Sequence, residues 1–524
     1  MKNAPNSFLW LTLVLLLSSS TAFAAPPIAV STNTCLFLDD YFISEQSGFT
    51  RTFHQGKPHP TAIVAETEPW DHWICLYGDC FYDPVGKVYR MYYQTSHYPS
   101  GVPGLSFRQD TAYAESKDAI HWIKPKLGFV DFNGSKENNL LFHNAGAGNV
   151  FLDPKATDPK GRIKATLYFC QSDPRFGVGD VLHDQQVLQS ADGVHWEYVG
   201  PFEKPKFANP EQGGFIDAVT VSGWDLLKQK YLANSRCYST HSIGEFPAAG
   251  ESFEPTTKRV RRRAIGISWS DNPQKGWSPT VMIVAADEQD DKRAAEKFAK
   301  DPTKPTWTEL YGMPMNVYGN HYIGFIVLFD RVDKQDGNGG GGLQFAFSND
   351  GLNWTRPEPR QNAVENSDDP ELWPNFAQFG APLDMGNEIW VFYSENNGTH
   401  GVQPFIKSRG RIRAAVWRKD GFASLDAAGK ATLVTKPLAT TGSKLLLNFN
   451  TEKDGYVRVG VLDAEGNPIS QFNLGECQDL KGNATAKEVV WVGGSDFSDR
   501  VGGKPVRLMF ELNKAHLWSF RFAP

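Results

Sequence analysis

Short runs of apolar and aromatic residues recur along this chain, each closed by glycine, proline, asparagine or aspartate. Residues 88–93, 166–169, 230–233, 322–328, 388–393 and 412–417 are such runs. They favour Val, Ile, Tyr, Phe and Trp and are short, so the pattern predicts β-strands rather than helices. Between them sits a recurring turn. It reads Ser116-Lys117-Asp118-Ala119-Ile120-His121-Trp122, then Ser190-Ala191-Asp192-Gly193-Val194-His195-Trp196, then Ser348-Asn349-Asp350-Gly351-Leu352-Asn353-Trp354. A looser copy runs from Ser270-Asp271-Asn272-Pro273 to Trp277. The four tryptophans are separated by 74, 81 and 77 residues, and a period of that kind marks an array of like supersecondary units.

The turn's composition follows from its chemistry. An Asp carboxylate bonds nearby backbone amides, and the glycine beside it tolerates the positive φ of a tight hairpin. The Trp then plugs the gap between adjacent sheets. These aspartates and tryptophans are therefore read as structural, although they look like catalytic acids and sugar platforms. At a period near 75, the stretch from about 40 to about 425 accommodates five four-stranded units, which predicts a five-bladed β-propeller with its sheet edges protected by radial closure. The fifth unit, residues 388–417, lacks the turn. The run Cys35-Leu36-Phe37-Leu38 is the expected partner closing the ring against the last blade.

Two stretches break the rhythm. Residues 285–300 begin acidic and end in Lys300, which predicts a helix inserted between blades three and four. Gly337-Asn338-Gly339-Gly340-Gly341-Gly342 reads as a flexible hairpin tip, and it lacks the Lys-Ser/Thr of a phosphate loop. From residue 436 the texture changes to tightly spaced alternating strands at 445–449, 456–462, 489–492 and 506–510, with turns at Asp454-Gly455 and Glu465-Gly466-Asn467. The expected class is thus all-β: a propeller over 30–430, followed by a small β-sandwich over 436–524.

Length alone, 524 residues at roughly 150 per domain, suggests three to four units, and the repeat replaces that count with one large and one small unit. Thirty-five Phe, 17 Tyr and 15 Trp alongside 48 Gly and 33 Pro suit short strands and tight turns. The net charge of −6 has no blocks of one sign, which argues against nucleic acid as a partner. Lys2, an apolar run over 8–17 and Ala22-Phe23-Ala24 form a secretory signal pattern over residues 1–24. Ten apolar residues are too few to span a bilayer, and no later run approaches the ~20 a span requires. The expectation is a secreted or periplasmic chain with no membrane partner. Losing Lys2 with the leader moves the charge to −7. Cys35, Cys75, Cys80, Cys170, Cys237 and Cys477 are too few for a disulfide scaffold and show no zinc spacing, so they read as structural thiols or one or two bridges. No cofactor or metal motif is present.

In a propeller, the innermost strand of each blade lines a central funnel, and acids near the start of those strands converge there. Asp83-Pro84 and Asp153-Pro154 look like hairpin starts. Asp79, Asp217 and Glu309 do not: each is embedded among apolar or aromatic residues with no turn to explain it. An acid in such surroundings needs either a partner or a task.

The period, the turns and the trailing β unit resemble the five-bladed propeller glycoside hydrolases of families 32, 43 and 68. Leu36-Phe37-Leu38-Asp39-Asp40-Tyr41-Phe42-Ile43, Phe53-His54-Gln55-Gly56-Lys57-Pro58-His59-Pro60 and Tyr77-Gly78-Asp79 resemble exported bacterial proteins described as family 32-like. The fructan-cleaving motifs Trp-Met-Asn-Asp-Pro-Asn-Gly, Arg-Asp-Pro and Glu-Cys are absent, so site residues follow by position and order. What the resemblance implies is glycosidic hydrolysis. Asp79 would be nucleophile or base, Glu309 the general acid, and Asp217 the group that orients the acid and stabilises oxocarbenium charge. Carboxyl separations of about 5–5.5 Å or about 6.5–9.5 Å would distinguish retention from inversion.

His54, Arg236, Glu371 and His400 are further candidates for contacts to a carbohydrate substrate. Asp287 and Glu288 open the inserted helix, where capping is the ordinary explanation. Arg259 and Arg261-Arg262-Arg263 read as a solvated basic face, or as a contact for a sulfated or uronic polysaccharide. Two other functions compete with a hydrolase. One is a non-catalytic glycan-binding propeller whose funnel acids pair with basic residues. The other is a sialidase-like enzyme, which would need an arginine triad and a nucleophilic Tyr, usually on six blades.

Overall fold

The computed structural model describes residues 26–97, 108–169, 174–176, 184–213, 219–241, 260–297, 306–332, 341–397 and 409–524. Five antiparallel sheets succeed one another along the chain as the blades of a propeller. Their inner strands are Cys80–Asp83, Ala145–Leu152, Val219–Asp225, Thr306–Gly312 continued by Met315–Tyr318, and Trp373–Ala377. In blade one, Val88–His97 and Arg108–Ser116 follow outward; in blade four, His321–Val332 and Gly342–Ser348 do the same.

The recurring turn joins the third strand of a blade to its fourth. Ser116 pairs with Trp122, Ser190 with Trp196, and Ser348 with Trp354 across that hairpin. Within it, Asp192 Oδ1 accepts from the amides of Val194 (2.9 Å) and His195 (2.8 Å), and Asp350 Oδ1 from those of Leu352 (2.7 Å) and Asn353 (2.8 Å). Each Trp packs against the preceding blade: Trp196 lies 5.5 Å from Phe142, and Trp277 lies 5.8 Å from Phe202. The degenerate fifth copy now has a cause. Blade five receives its outermost strand, Lys57–Ala65, from the N-terminal side of the chain, paired antiparallel with Gly410–Arg418. No hairpin leads to that strand, so no turn is required.

The run at 35–38 therefore does not close the ring. Cys35–Leu36 pairs with Val506–Ala523 in a ten-stranded sheet built from both chain ends. Ile43–Ser47 and Thr50–Phe53 join Ala431–Thr435 and Ala423–Ala427 there, and a long hairpin of Lys444–Asp463 against Val506–Ala523 forms its spine. Phe37, Phe42, Phe510 and Phe520 share one buried core in this unit.

Aspartates at the outer ends of the inner strands fasten neighbouring blades. Asp83 takes both Nη atoms of Arg162, at 2.6 and 2.9 Å. Asp153 accepts from Tyr231 Oη (2.8 Å) and Asp225 from Tyr322 Oη (2.6 Å), each bond crossing from one blade to the next. Asp83 and Asp153 thus have structural work, consistent with their turn-like sequence. The inserted helix spans Glu288–Lys297, inside the expected 285–300, with 298–300 outside the described residues. Asp287 caps it, accepting from the amides of Gln289 and Asp290.

Cys35, Cys75, Cys80, Cys237 and Cys477 are free and buried; Cys170 lies outside the described residues. Among the described residues, no helix is long and apolar enough to cross a membrane.

Candidate funnel site

Asp79 precedes the inner strand of blade one and is 1% exposed. The chain can pass there because Gly78 has no side chain: a Cβ on it would stand 2.1 Å from the carbonyl oxygen of Tyr92. The amide of Tyr92 in turn donates to the Asp79 carbonyl at 2.9 Å, which locks the backbone. Asp79 Oδ1 accepts from the amide of Cys80 at 2.8 Å, and the carboxyl also accepts from the Gly380 amide and the Asn149 side chain. Gly380 approaches so closely that a Cβ there would meet Oδ2 at 2.5 Å. Burial pushes the Asp79 pKa up from 3.8 to about 7, against the lowering effect of those three donors.

These contacts belong to a circuit around the propeller axis. Asn149 of blade two reaches Asp79 and also donates to the Val221 carbonyl of blade three at 2.9 Å. Asn316 of blade four donates to the Ser222 carbonyl of blade three (3.2 Å) and the Phe379 carbonyl of blade five (3.3 Å). Gly380, next to Phe379, closes the loop onto Asp79. All five blades are joined by hydrogen bonds that each involve a side chain, and Asp79 is the one ionisable member. The sequence carried a signal for this. Asn149 stands four residues before Asp153-Pro154, as Asp79 stands four before Asp83-Pro84.

Glu309 is 2% exposed on the inner strand of blade four. Its Oε2 lies 3.3 Å from Arg263 Nε, its Oε1 lies 3.9 Å from Arg331 Nε, and Trp307 Nε1 donates to Oε1 at 3.3 Å. An aromatic cluster links the neighbourhoods of the two acids. Tyr77, two residues before Asp79, lies 6.3 Å from Tyr311, two residues after Glu309, and Phe376 of blade five is 4.3 Å from Tyr77 and 5.2 Å from Tyr311. Blades one, four and five thus meet in a patch of rings contributed by residues close in sequence to the two acids.

The other expected residues separate. Asp217 and His400 lie outside the described residues. Arg236 joins the patch, its guanidinium 5.7 Å from the Tyr311 ring. Glu371 is exposed and pairs with Arg409 Nη2 at 2.6 Å. His54 turns away to the ten-stranded sheet, where its Nε2 is 2.8 Å from Ser424 Oγ and its ring lies 6.3 Å from Trp518. Burial lowers its pKa, with Asp426 opposing. The basic run is not a solvated face at its described side chains. Arg262 is fully buried and holds Asp291 of the inserted helix at 2.8 and 2.9 Å. Arg263, on the opposite face of the strand as alternation demands, turns to Glu309. Arg259 is outside the described residues. Sequence reading missed Arg331 and the Arg263–Glu309 pairing because the partners are about 20 and 46 residues distant from Glu309 and sit on different strands.

No protein-family model matches the chain, and no curated protein matches it. Among solved structures it is similar to a glycoside hydrolase, at 16% identity over 69% of this chain and 92% of that one, with a TM-score of 0.41. It is also similar to a family 43 arabinoxylan arabinofuranohydrolase from Bacillus subtilis, at 11% identity over 88% and 99% of the two chains, with a TM-score of 0.34. A third is a β-1,2-mannobiose phosphorylase from Listeria innocua, at 10% identity over 70% and 97%, with a TM-score of 0.37.

Proposed function

We propose that this protein is an exported glycoside hydrolase acting on an oligo- or polysaccharide at the propeller funnel. The observation that carries the reading is the Asp79 carboxyl, hydrogen-bonded to blades two and five with its pKa raised to about 7, in a chain where Tyr77 and Tyr311, close in sequence to Asp79 and Glu309, meet in one aromatic patch. A carboxyl titrating near neutrality is suited to taking up or releasing a proton at working pH. Tyr77 and Tyr311, both only partly buried, are the kind of rings on which sugar faces pack. Asp79 is assigned as nucleophile or base, Glu309 as general acid, and Asp217 as the group orienting it. Arg236 contacts the substrate. The C-terminal strands are read as a β-sandwich flanking the propeller. Screening a panel of plant and algal glycans for reducing-end release tests this, with Glu309→Gln and Asp79→Asn as controls. Unchanged turnover in both variants would overturn the residue assignment.

A second reading, a glycan-binding propeller without catalysis, is favoured by one observation: Asp79 is already satisfied by three protein donors and Glu309 faces two guanidinium groups. It predicts saccharide binding with no bond cleavage anywhere on the panel.

A further inference from the structure

Two arginines face a single carboxylate beside the aromatic patch. Arg263 comes from the third strand of blade three, and Arg331 from the second strand of blade four, where it pairs with Trp307. Both rest on the ring of Phe329, their guanidinium carbons 5.3 and 5.4 Å from its centre. Arg263 also covers Tyr311 at 4.9 Å, and Arg331 covers Trp307 at 5.5 Å. Glu309 is the acidic partner of both, and its distances of 3.3 and 3.9 Å leave donors unspent. Arg263 Nη1 and Arg331 Nε are buried with no hydrogen-bond partner, and Arg331 is only 7% exposed. Burial lowers the Arg331 pKa, Glu309 opposes that, and neighbouring Arg263 adds to it.

An unmade donor in a buried guanidinium is costly, and a second cation held against the same ring adds repulsion. A ligand oxyanion removes both costs, because planar guanidinium groups present paired donors to carboxylate or sulfate oxygens. The surrounding rings specify more than a bare ion. Among them Tyr311 is only partly buried and sets an aromatic face next to the charge, as a sugar carrying an acidic substituent would use, while Trp307 and Phe329 are buried against the guanidinium groups. We infer that Arg263 and Arg331 form a subsite for the negatively charged group of an acidic saccharide, a uronic acid or a sulfated sugar. The inference rests on the carbohydrate-directed reading above and names the substrate class of that site. It also reconciles an overall acidic chain with an anionic ligand, since the attraction is local.

The test is calorimetric titration of the full chain bearing Asp79→Asn, which suppresses turnover under the proposed mechanism and leaves both arginines intact. The probes are oligogalacturonate, a sulfated galactan oligosaccharide, a neutral arabino-oligosaccharide and inorganic phosphate. At least one acidic saccharide is expected to bind at least tenfold more tightly than the neutral one, with affinity falling as salt rises. Arg263→Met and Arg331→Met are expected to remove that preference, and Arg331→Lys to restore part of it. If the Met variants fail to fold, the salt dependence and charge preference of the parent chain decide alone. Equal binding of acidic and neutral saccharides overturns the subsite. So does binding of phosphate with neither acidic saccharide bound, which would make it a free-oxyanion site. Should the Asp79→Asn chain cleave glycan at the parental rate while still preferring acidic ligands, the catalytic reading fails and the subsite stands.

Discussion

The buried Asp79 carboxyl contributes a definite pH dependence to this molecule's stability. Asp79 binds its proton more tightly folded than unfolded, because its pKa rises from 3.8 to about 7. Its contribution to stability is therefore fully present below about pH 4 and is lost as pH rises through about 7. Asp79→Asn cannot titrate, so the stability difference between variant and parent is expected to shift in the variant's favour between pH 5 and pH 8, on the order of 2 kcal/mol. Denaturant titrations at the two pH values measure it, and a constant difference would mean Asp79 does not change protonation in that window. The acidic identity of this residue and its non-turn surroundings were legible in the sequence. Its partners Asn149 and Gly380 were not, nor were the arginines that pair with Glu309, because such residues converge only when strands far apart in the chain are packed side by side.

At the scale of elements, the repeated turn carried the most information. Ser, Asp, Gly and Trp in fixed order report a local hairpin, and local chemistry is what a sequence states openly. Asp350→Ala removes the acceptor of two backbone amides and the Ser348 hydroxyl, so a loss of about 1–2 kcal/mol is expected by thermal or denaturant unfolding. A loss below 0.3 kcal/mol would contradict a structural role. The inserted helix was equally readable from its acidic start, but its anchors were not. Arg262 sits in a run of four basic residues from Arg259 to Arg263, interrupted by Val260, that looks solvent-facing in one dimension. Strand alternation sends it inward to Asp291, and Arg262→Met is expected to cost about 2–3 kcal/mol, by the same unfolding measurement, because it strands that carboxylate.

The whole molecule is tied together by its N-terminal segment. Lys57–Ala65 completes blade five, while Cys35–Leu36, Ile43–Ser47 and Thr50–Phe53 build into the ten-stranded sheet with strands beyond residue 423. Propeller and C-terminal unit should consequently not fold as separable halves. A chain beginning at residue 66 is expected to be aggregated or rapidly proteolysed, and a stable, monodisperse product would contradict this. The five-blade count was available from the repeat period, since each blade must bury the same width of sheet. The closing strand was misplaced by about 20 residues because residues 35–38 are more apolar than 57–65, and burial in the second sheet explains that apolarity as well as ring closure would.

The claim that funnel carboxyls perform hydrolysis is tested most directly by the rate of reducing-end release on the best panel glycan, comparing the parent chain with Asp79→Asn at equal folded fraction. The account predicts a fall of about 10²-fold or more, as expected when a group acting in proton transfer or nucleophilic attack is removed. A rate within twofold of the parent would contradict it.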